Sequence, residues 1–383
     1  MKSKSALHFL YMLPPLLIFG GVIFVDPIWS LKANLPTIPF FEIGYATLYL
    51  LFFLIYYKSK ALRQSPINIV YIILLTYGVF ISEQEFIYKY SYIMLLFFSY
   101  AYALKNPCKD YDRLLFFLIS YIVISVFIYL IRMNMYDFDF LRLRGGINIW
   151  GGTTLVSIIY LFITIQAILQ KKEGQILLFS AIALFISIIF MTRVTIIVSL
   201  LLLLIQLKSL NKLIFFSLIA SIVLITLDSD FFEILLSRFS FERVSNNATL
   251  IEMVEVLSYD RYALWNKATE ILSDNFLGIG VGGMSKYSSY SSAHNLFLNN
   301  LIELGAPFGF VVNLLVLVPI YKLIRFPICG KYKVIALTAY AGFLLNAIIS
   351  GSKLIQTTGY TTAFVLLLLF SVNNVLNYKK IVQ

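Results

Sequence analysis

The sequence is poor in charged residues, histidine and cysteine, and each shortage excludes a class of protein. Only 13% of the 383 residues are charged, whereas 60% are hydrophobic, which leaves too little polar surface for a soluble domain of this length. The two histidines, His8 and His294, and the two cysteines, Cys108 and Cys329, are scattered along the chain. Neither a zinc site nor a disulfide framework is therefore expected, and we predict no metal and no cofactor.

The net charge of +11 could suggest a nucleic-acid partner. The Lys and Arg residues, however, occur in short groups between apolar runs and do not form one basic face. We therefore expect no nucleic acid. Aromatic residues make up 16% of the chain, which suits contact with lipid and with the membrane interface.

Apolar runs are the dominant feature of the chain, and they predict an all-α polytopic membrane protein. A membrane-spanning helix needs roughly 20 mostly apolar residues. By this measure the chain has about twelve candidate spans. They are 7–25, 40–57, 66–82, 86–104, 114–131, 149–169, 176–191, 194–207, 213–227, 304–320, 334–350 and 359–376.

The positions of the charges predict the orientation. If the N-terminus is cytoplasmic, the inner connections hold 18 of the 30 Lys and Arg residues and only three acids, whereas the outer side holds 12 bases and 16 acids. Cytoplasmic connections are typically rich in Lys and Arg. We therefore predict that both termini are cytoplasmic and that residues 1–383 form a single integral membrane domain. One long extracytoplasmic loop, 228–293, precedes the tenth helix.

Four arginines on the predicted outer side are candidates for a functional site. Arg142 and Arg144 lie in LRLRGGINIWGG, where the glycines allow a backbone to approach a ligand closely. Arg193 lies between two apolar runs, where a guanidinium is costly unless it is paired or faces water. Arg261 precedes Trp265 by four residues, so the two share a face of a predicted helix. Because a guanidinium donates two hydrogen bonds at once, these arginines predict a site for a lipid-linked phosphate or pyrophosphate. The alternative is an interfacial arginine or one paired with a nearby acid.

His294 lies where the predicted loop enters the tenth span. Gly305 follows eleven residues later, on nearly the same helical face, and would leave space beside the histidine. An imidazole in this place could act as a general base near neutral pH. The alternative is a histidine with a structural role.

These residues resemble a known family. His294-Asn295, nine residues and then Gly305 resemble the HN-x9-G signature of the O-antigen ligase and O-antigen polymerase superfamily. SDNFLGIGVGG (273–283) is similar to the family's npllGvGpG stretch, DRYALW (260–265) to its R..lW stretch, and MTRVTI (191–196) to its arginine at an outer helix end. The matches follow the family's order over about 191–310. The next glycine, Gly309, stands one place later than in the ligase pattern, which favours a polymerase.

The resemblance implies a membrane glycosyltransferase at the outer face of the bacterial cytoplasmic (inner) membrane. Its donor would be an oligosaccharide linked to undecaprenyl pyrophosphate. Arg193 and Arg261 would bind the pyrophosphate, and His294 would activate or orient the acceptor hydroxyl. The expected substrate-binding residues are Arg142, Arg144, Trp265, Asn295 and Gly305. A chain-length regulator and a flippase are the protein partners that the resemblance suggests.

The predicted function is polymerisation of repeat units into O-antigen or a related surface or capsular polysaccharide, as in lipopolysaccharide biosynthesis. Within the same class, an O-antigen ligase would transfer the polysaccharide to lipid A-core. From a different class, a flippase of lipid-linked oligosaccharide also has about twelve helices, but it would be expected to carry charges along a central cavity. A glycosyltransferase that uses lipid-phosphate sugars would instead depend on an acid in the first outer loop, such as Asp26.

Overall fold

The computed structural model describes the following parts of the chain, which are mostly helical. They comprise 152–170, 173–189, 193–207, 261–280, 283–288, 292–328 and 330–349, with the helical residues 368, 372, 375 and 376. Within these ranges the ordered elements are all helical and there is no strand. The first five predicted spans, the span 213–227 and most of 359–376 lie outside the described residues, as do Arg142 and Arg144.

Seven α-helices and one 3-10 helix are described. They are α1 (Gly152–Ile168), α2 (Glu173–Ile189), α3 (Arg193–Gln206), α4 (Arg261–Asp274), the 3-10 helix (Gly283–Lys286), α5 (Leu296–Leu304), α6 (Ala306–Arg325) and α7 (Gly330–Ile349). Helices are thus confirmed near five predicted ranges: 149–169, 176–191, 194–207, 304–320 and 334–350. The short helix α5 was not foreseen as an element separate from the tenth span.

Five of these helices are apolar along their length. Helices α6 and α7 are long and apolar enough to cross a membrane, whereas the apolar parts of α1, α2 and α3 are shorter. In these five helices every charged residue lies in the first or the last turn. Their middle turns are therefore free of charge.

Helix α1 is the centre of the described bundle. Its side chains from Val156 to Ile168 are buried on every side of the helix. Apolar residues accordingly occur all around the helix and are not confined to one face. Helix α7 packs most extensively against it, and α2 also packs on it. Two buried hydrogen bonds tie the neighbours to α1: Asn346 Nδ2 donates to Ser157 Oγ at 2.6 Å, and Tyr160 Oη donates to the carbonyl of Thr195 at 2.8 Å.

Short connections make the neighbouring helices antiparallel and fix which ends lie together. Helices α2 and α3 form one hairpin and α6 and α7 form another. Lys331 Nζ, at the start of α7, lies 2.9 Å from Glu173 Oε2, at the start of α2. Arg193 therefore lies at the opposite end, with the last turns of α7 and the first turns of α6. We call this the Arg193 end of the bundle.

Gly342 allows three helices to meet closely. A Cβ atom built on Gly342 of α7 would lie 3.0 Å from the Tyr160 ring of α1 and closer still to Val198 Cγ1 of α3. Since both neighbours are buried and Val198 is β-branched, neither can move away easily. The small side chain at residue 342 is therefore a packing requirement.

We predict that Gly342→Ala lowers the free energy of unfolding by about 1–3 kcal/mol, as overpacking of a filled core does. The measurement is thermal unfolding of the purified protein in detergent. Gly174→Ala is the matched control, because a Cβ at Gly174 in α2 meets nothing within 4 Å. An unchanged melting temperature for Gly342→Ala would contradict the packing shown by the structure.

Candidate functional site

An apolar cluster joins α4, the 3-10 helix and α5. Leu264, Ala268 and Ile271 of α4 contact Met284 of the 3-10 helix, together with Ala293 and Ile302. Leu264, Ala268 and Ile271 form the buried stripe of α4, and this stripe packs against the 3-10 helix and α5. We call residues 261–280, 283–288 and 292–305 the α4–α5 unit.

The glycine-rich segment after α4 runs back along the end of α5. The Ile279 N–H donates to the carbonyl of Ile302 at 2.9 Å, and the Gly280 N–H donates to the carbonyl of Glu303 at 3.1 Å. Ala306 N, the first residue of α6, donates in turn to the carbonyl of Phe276 at 2.9 Å. The segment 276–280 thus satisfies carbonyls that the C-terminus of α5 would otherwise leave unpaired, and it connects to α6.

Gly278 and Gly305 interlock at this crossing. A Cβ on Gly278 would lie 2.8 Å from the Leu304 carbonyl carbon and closer to Gly305 N. A Cβ on Gly305 would lie 2.9 Å from Leu277 Cα and closer to the Leu277 carbonyl. Both glycines also have positive φ angles, 96° for Gly278 and 80° for Gly305. Backbone cannot yield as a side-chain tip can, so both positions require glycine.

The position of Gly305 corrects one sequence prediction. His294 and Gly305 do not share a helical face, since α5 starts after His294 and ends at Leu304, and Gly305 is the junction between α5 and α6. The space above Gly305 is filled by the Leu277 backbone and is not left open beside the histidine. The prediction that Gly305 leaves room there is therefore wrong, and its packing role accounts for the glycine.

His294 lies immediately before α5 with an exposed side chain and a φ of 50°. Asn295 caps the helix, since its Oδ1 accepts hydrogen bonds from Phe297 N at 3.0 Å and Leu298 N at 3.2 Å. Asn299 Oδ1 accepts from the Ala293 N–H at 2.8 Å. Asn295 was predicted to bind substrate; in the structure its oxygen caps the helix.

Two further asparagines attach α5 to α6. Asn300 Nδ2 donates to Asn313 Oδ1 at 2.8 Å, and Asn313 Nδ2 donates to the carbonyl of Phe297 at 3.0 Å. Gly309 allows α5 and α6 to approach closely enough for these hydrogen bonds, because a Cβ at residue 309 would collide with the backbone of Asn300. Asn300, Asn313 and the buried Glu303 were not predicted from the sequence. The signal was present as three polar residues, 299, 300 and 303, inside an apolar run.

Arg261 and Trp265 lie in the first turns of α4, and both are partly buried. The indole Nε1 of Trp265 is buried and has no hydrogen-bond partner among the described residues. Arg261 is three residues from Leu264, and His294 is one residue from Ala293, so each adjoins a member of the same apolar cluster.

Arg193 begins α3, which packs against α2 and α7. The α4–α5 unit reaches the same helix α7 through α5. Because α5 precedes α6 directly, the unit lies at the Arg193 end of the bundle. Arg193 and the α4–α5 unit, which carries Arg261 and His294, therefore lie toward the same end of the bundle.

Within the described residues, no three His, Cys, Asp or Glu side chains are grouped so that they could hold a metal ion. The predicted site residues among the described ones include arginine, histidine and amide side chains. Such groups can bind an anion, orient a hydroxyl and move a proton.

No protein-family model, curated protein or solved structure matches this chain.

We predict that Gly305→Ala and Gly278→Ala each prevent stable docking of α4 on α5. The backbone conformation of Gly305, with φ 80° and ψ 159°, is essentially restricted to glycine and would alone strain alanine by about 1–3 kcal/mol. The measurement is limited proteolysis of membranes, in which the segment between α4 and α5 should become cleavable. Gly330→Ala is the control, since a Cβ there meets nothing within 4 Å. Resistance equal to that of the control would show that the interlock is not needed.

Proposed function

We propose that this chain polymerises oligosaccharide repeat units linked to undecaprenyl pyrophosphate into O-antigen or a related surface polysaccharide. The reaction is a glycosyl transfer at the extracytoplasmic face of the bacterial cytoplasmic membrane. The growing chain moves from its own lipid pyrophosphate to the terminal sugar of an incoming lipid-linked unit.

One observation carries the proposal: three separate sequence stretches that resemble one family form one packed unit. RYALW (261–265) begins α4, the LGIG segment (277–280) interlocks with Gly305, and His294-Asn295 directly precede α5. The backbone contact between Gly278 and Gly305 explains why both motifs contain a glycine. A chance likeness of each stretch would not require them to touch.

The proposed membrane placement has about twelve spans, with both termini in the cytoplasm. Helices α6 and α7 have the required length and composition. Large apolar side chains are also exposed along α6 at helical spacing, at Phe310, Leu314, Leu317, Tyr321 and Ile324. The Glu173–Lys331 end carries the bases expected on the cytoplasmic side, so the Arg193 end faces outward in this proposal.

In the proposed reaction, the acceptor hydroxyl oxygen forms a bond to the anomeric carbon of the donor chain. The bond between that carbon and the pyrophosphate oxygen breaks, and its electron pair leaves with undecaprenyl pyrophosphate. His294 takes the hydroxyl proton as the new bond forms. Arg193 and Arg261 stabilise the negative charge that grows on the leaving group.

A polymerase is preferred to a flippase because of where the charges lie. In the five apolar helices that are described, charged residues occur only in the terminal turns, whereas a flippase would be expected to carry them along a central cavity. An O-antigen ligase is the alternative within the same class. It would use the same donor and a lipid A-core acceptor.

We predict that His294→Ala and Arg261→Ala each lower the rate of chain elongation by about a hundredfold or more, as loss of a transition-state contact does. The measurement is surface polysaccharide length on a gel, at equal amounts of protein in the membrane. Lys267→Ala is the matched control, because Lys267 lies on the same helix in an exposed pair with Glu270. Full-length chains from both site variants would contradict the catalytic assignment.

Loss of the gene separates the candidate activities. A polymerase null strain should carry single repeat units on its surface lipid, because capping by a separate ligase continues. A bare surface lipid, with polymer accumulating on the undecaprenyl carrier, would indicate a ligase. Lipid-linked single units trapped on the cytoplasmic side would indicate a flippase.

The orientation predicts the labelling of single cysteines in a background where Cys108 and Cys329 are replaced by serine. Tyr287→Cys, at a side chain that is 45% exposed in the α4–α5 unit, should react with a membrane-impermeant maleimide in spheroplasts. Gly330→Cys, at the exposed start of α7, should react only after permeabilisation. The reverse pattern would place the site in the cytoplasm and rule out the proposed donor.

A further inference from the structure

His294 is held in an unusual backbone conformation. Among the described residues other than glycine, only Gln170 and His294 have a positive φ, 53° and 50° respectively. Gln170 follows the end of α1, where a left-handed residue commonly terminates a helix. His294 instead precedes a helix, so termination does not explain its conformation, and such strain persists only where the surroundings impose it.

The cap residue Asn295 and Asn299 of α5 accept hydrogen bonds from the backbone on either side of His294. Asn299 Oδ1 accepts from the Ala293 N–H at 2.8 Å, and Asn295 Oδ1 accepts from Phe297 N and Leu298 N. A fourth hydrogen bond, from the His294 N–H to Ser292 Oγ, is longer at 3.4 Å. The hydrogen bond to Asn299 is therefore shorter than the one to Ser292, and it holds the Ser292–Ala293 peptide, one peptide before the one that joins Ala293 to His294.

Asn299 is a costly choice for this position. It lies inside an α-helix, where asparagine is a poor helix former, and it is only 4% exposed. Its Nδ2 is buried without a hydrogen-bond partner among the described residues. This donor therefore loses its hydrogen bonds to water and gains none in their place. A residue that only filled space would not carry this cost, and departures of this kind concentrate at functional sites.

We propose that Asn299 is a positioning residue for the glycosyl transfer. By fixing the Ser292–Ala293 peptide, it holds the turn in which His294 is left-handed and so sets the direction of the imidazole toward the acceptor hydroxyl. This inference rests on the proposed function, but it assigns Asn299 no contact with the donor. Its effect therefore falls on the transfer step and not on donor binding.

Asn300 provides a matched control on the same helix. It is the same residue type and is also buried, at 1% exposed, but its Nδ2 donates to Asn313 of α6. Asn300→Leu and Asn299→Leu each remove one buried amide from α5. Only the change at Asn299 removes the acceptor of the Ala293 N–H.

The experiment uses the full-length protein in liposomes with a synthetic undecaprenyl-pyrophosphate-linked oligosaccharide, at equal amounts of folded protein. Asn299→Leu should lower kcat by about tenfold to a hundredfold, as misplacement of a catalytic group does, with KM for the donor unchanged. Asn299→Asp keeps an oxygen acceptor for the Ala293 N–H and should recover part of kcat. Asn300→Leu should leave kcat within about threefold of the wild-type value.

The outcomes separate this inference from the proposed function. Wild-type kcat in Asn299→Leu, an equal fall in Asn300→Leu, or no recovery in Asn299→Asp would overturn the positioning role while His294→Ala still abolishes transfer. If Asn299→Leu does not fold, the Asp variant decides, since it should have wild-type KM and an intermediate kcat. Full activity of His294→Ala would reject the catalytic role of His294, and this inference with it, whereas no glycosyl transfer by the wild-type protein would reject the proposed function itself.

Discussion

The backbone contact between Leu277–Gly278 and Gly305 is the constraint on which the candidate site depends. At this crossing the chain leaves α5 and enters α6, and the segment after α4 donates to the last carbonyls of α5. Remote parts of the sequence are thereby fixed to one another: the helix of Arg261, the turn of His294 and the first turn of α6. Both glycines have positive φ angles, so neither steric room nor backbone conformation allows another residue. Packing alone can thus restrict a position to glycine.

Polar groups follow a clear pattern in the five apolar helices. Hydrogen-bonding side chains occur inside the bundle, as with Tyr160 and Asn346, but charges occur only in the terminal turns of these helices. Neutral polar pairs can be satisfied between helices in an apolar medium, whereas an isolated charge is far more costly to bury. Site chemistry that needs arginine must therefore lie at an end of the bundle. In the proposed function this physical rule, and not only the family resemblance, places glycosyl transfer at the membrane surface.

The sequence predicted the helices because long apolar runs have few alternatives to helical structure. Ranges such as 149–169 and 194–207 were correct within a few residues, and the helical reading of the run after Arg261 was also correct. The break between α5 and α6 was missed, since LFLNNLIELGAPFGF has the pattern of one continuous helix. Its cause is a contact with Leu277, which no local pattern reveals. The same lack of tertiary information hid the hydrogen bond of Asn299 and the contact that fills the space above Gly305.

Transfer with release of the lipid pyrophosphate tests the central claim most directly. Purified wild-type protein in liposomes would receive one synthetic undecaprenyl-pyrophosphate-linked repeat unit as both donor and acceptor. The account predicts that each glycosidic bond formed releases one undecaprenyl pyrophosphate and that products lengthen by whole repeat units. Intact lipid-linked units that cross the bilayer without cleavage, and without any longer product, would contradict it.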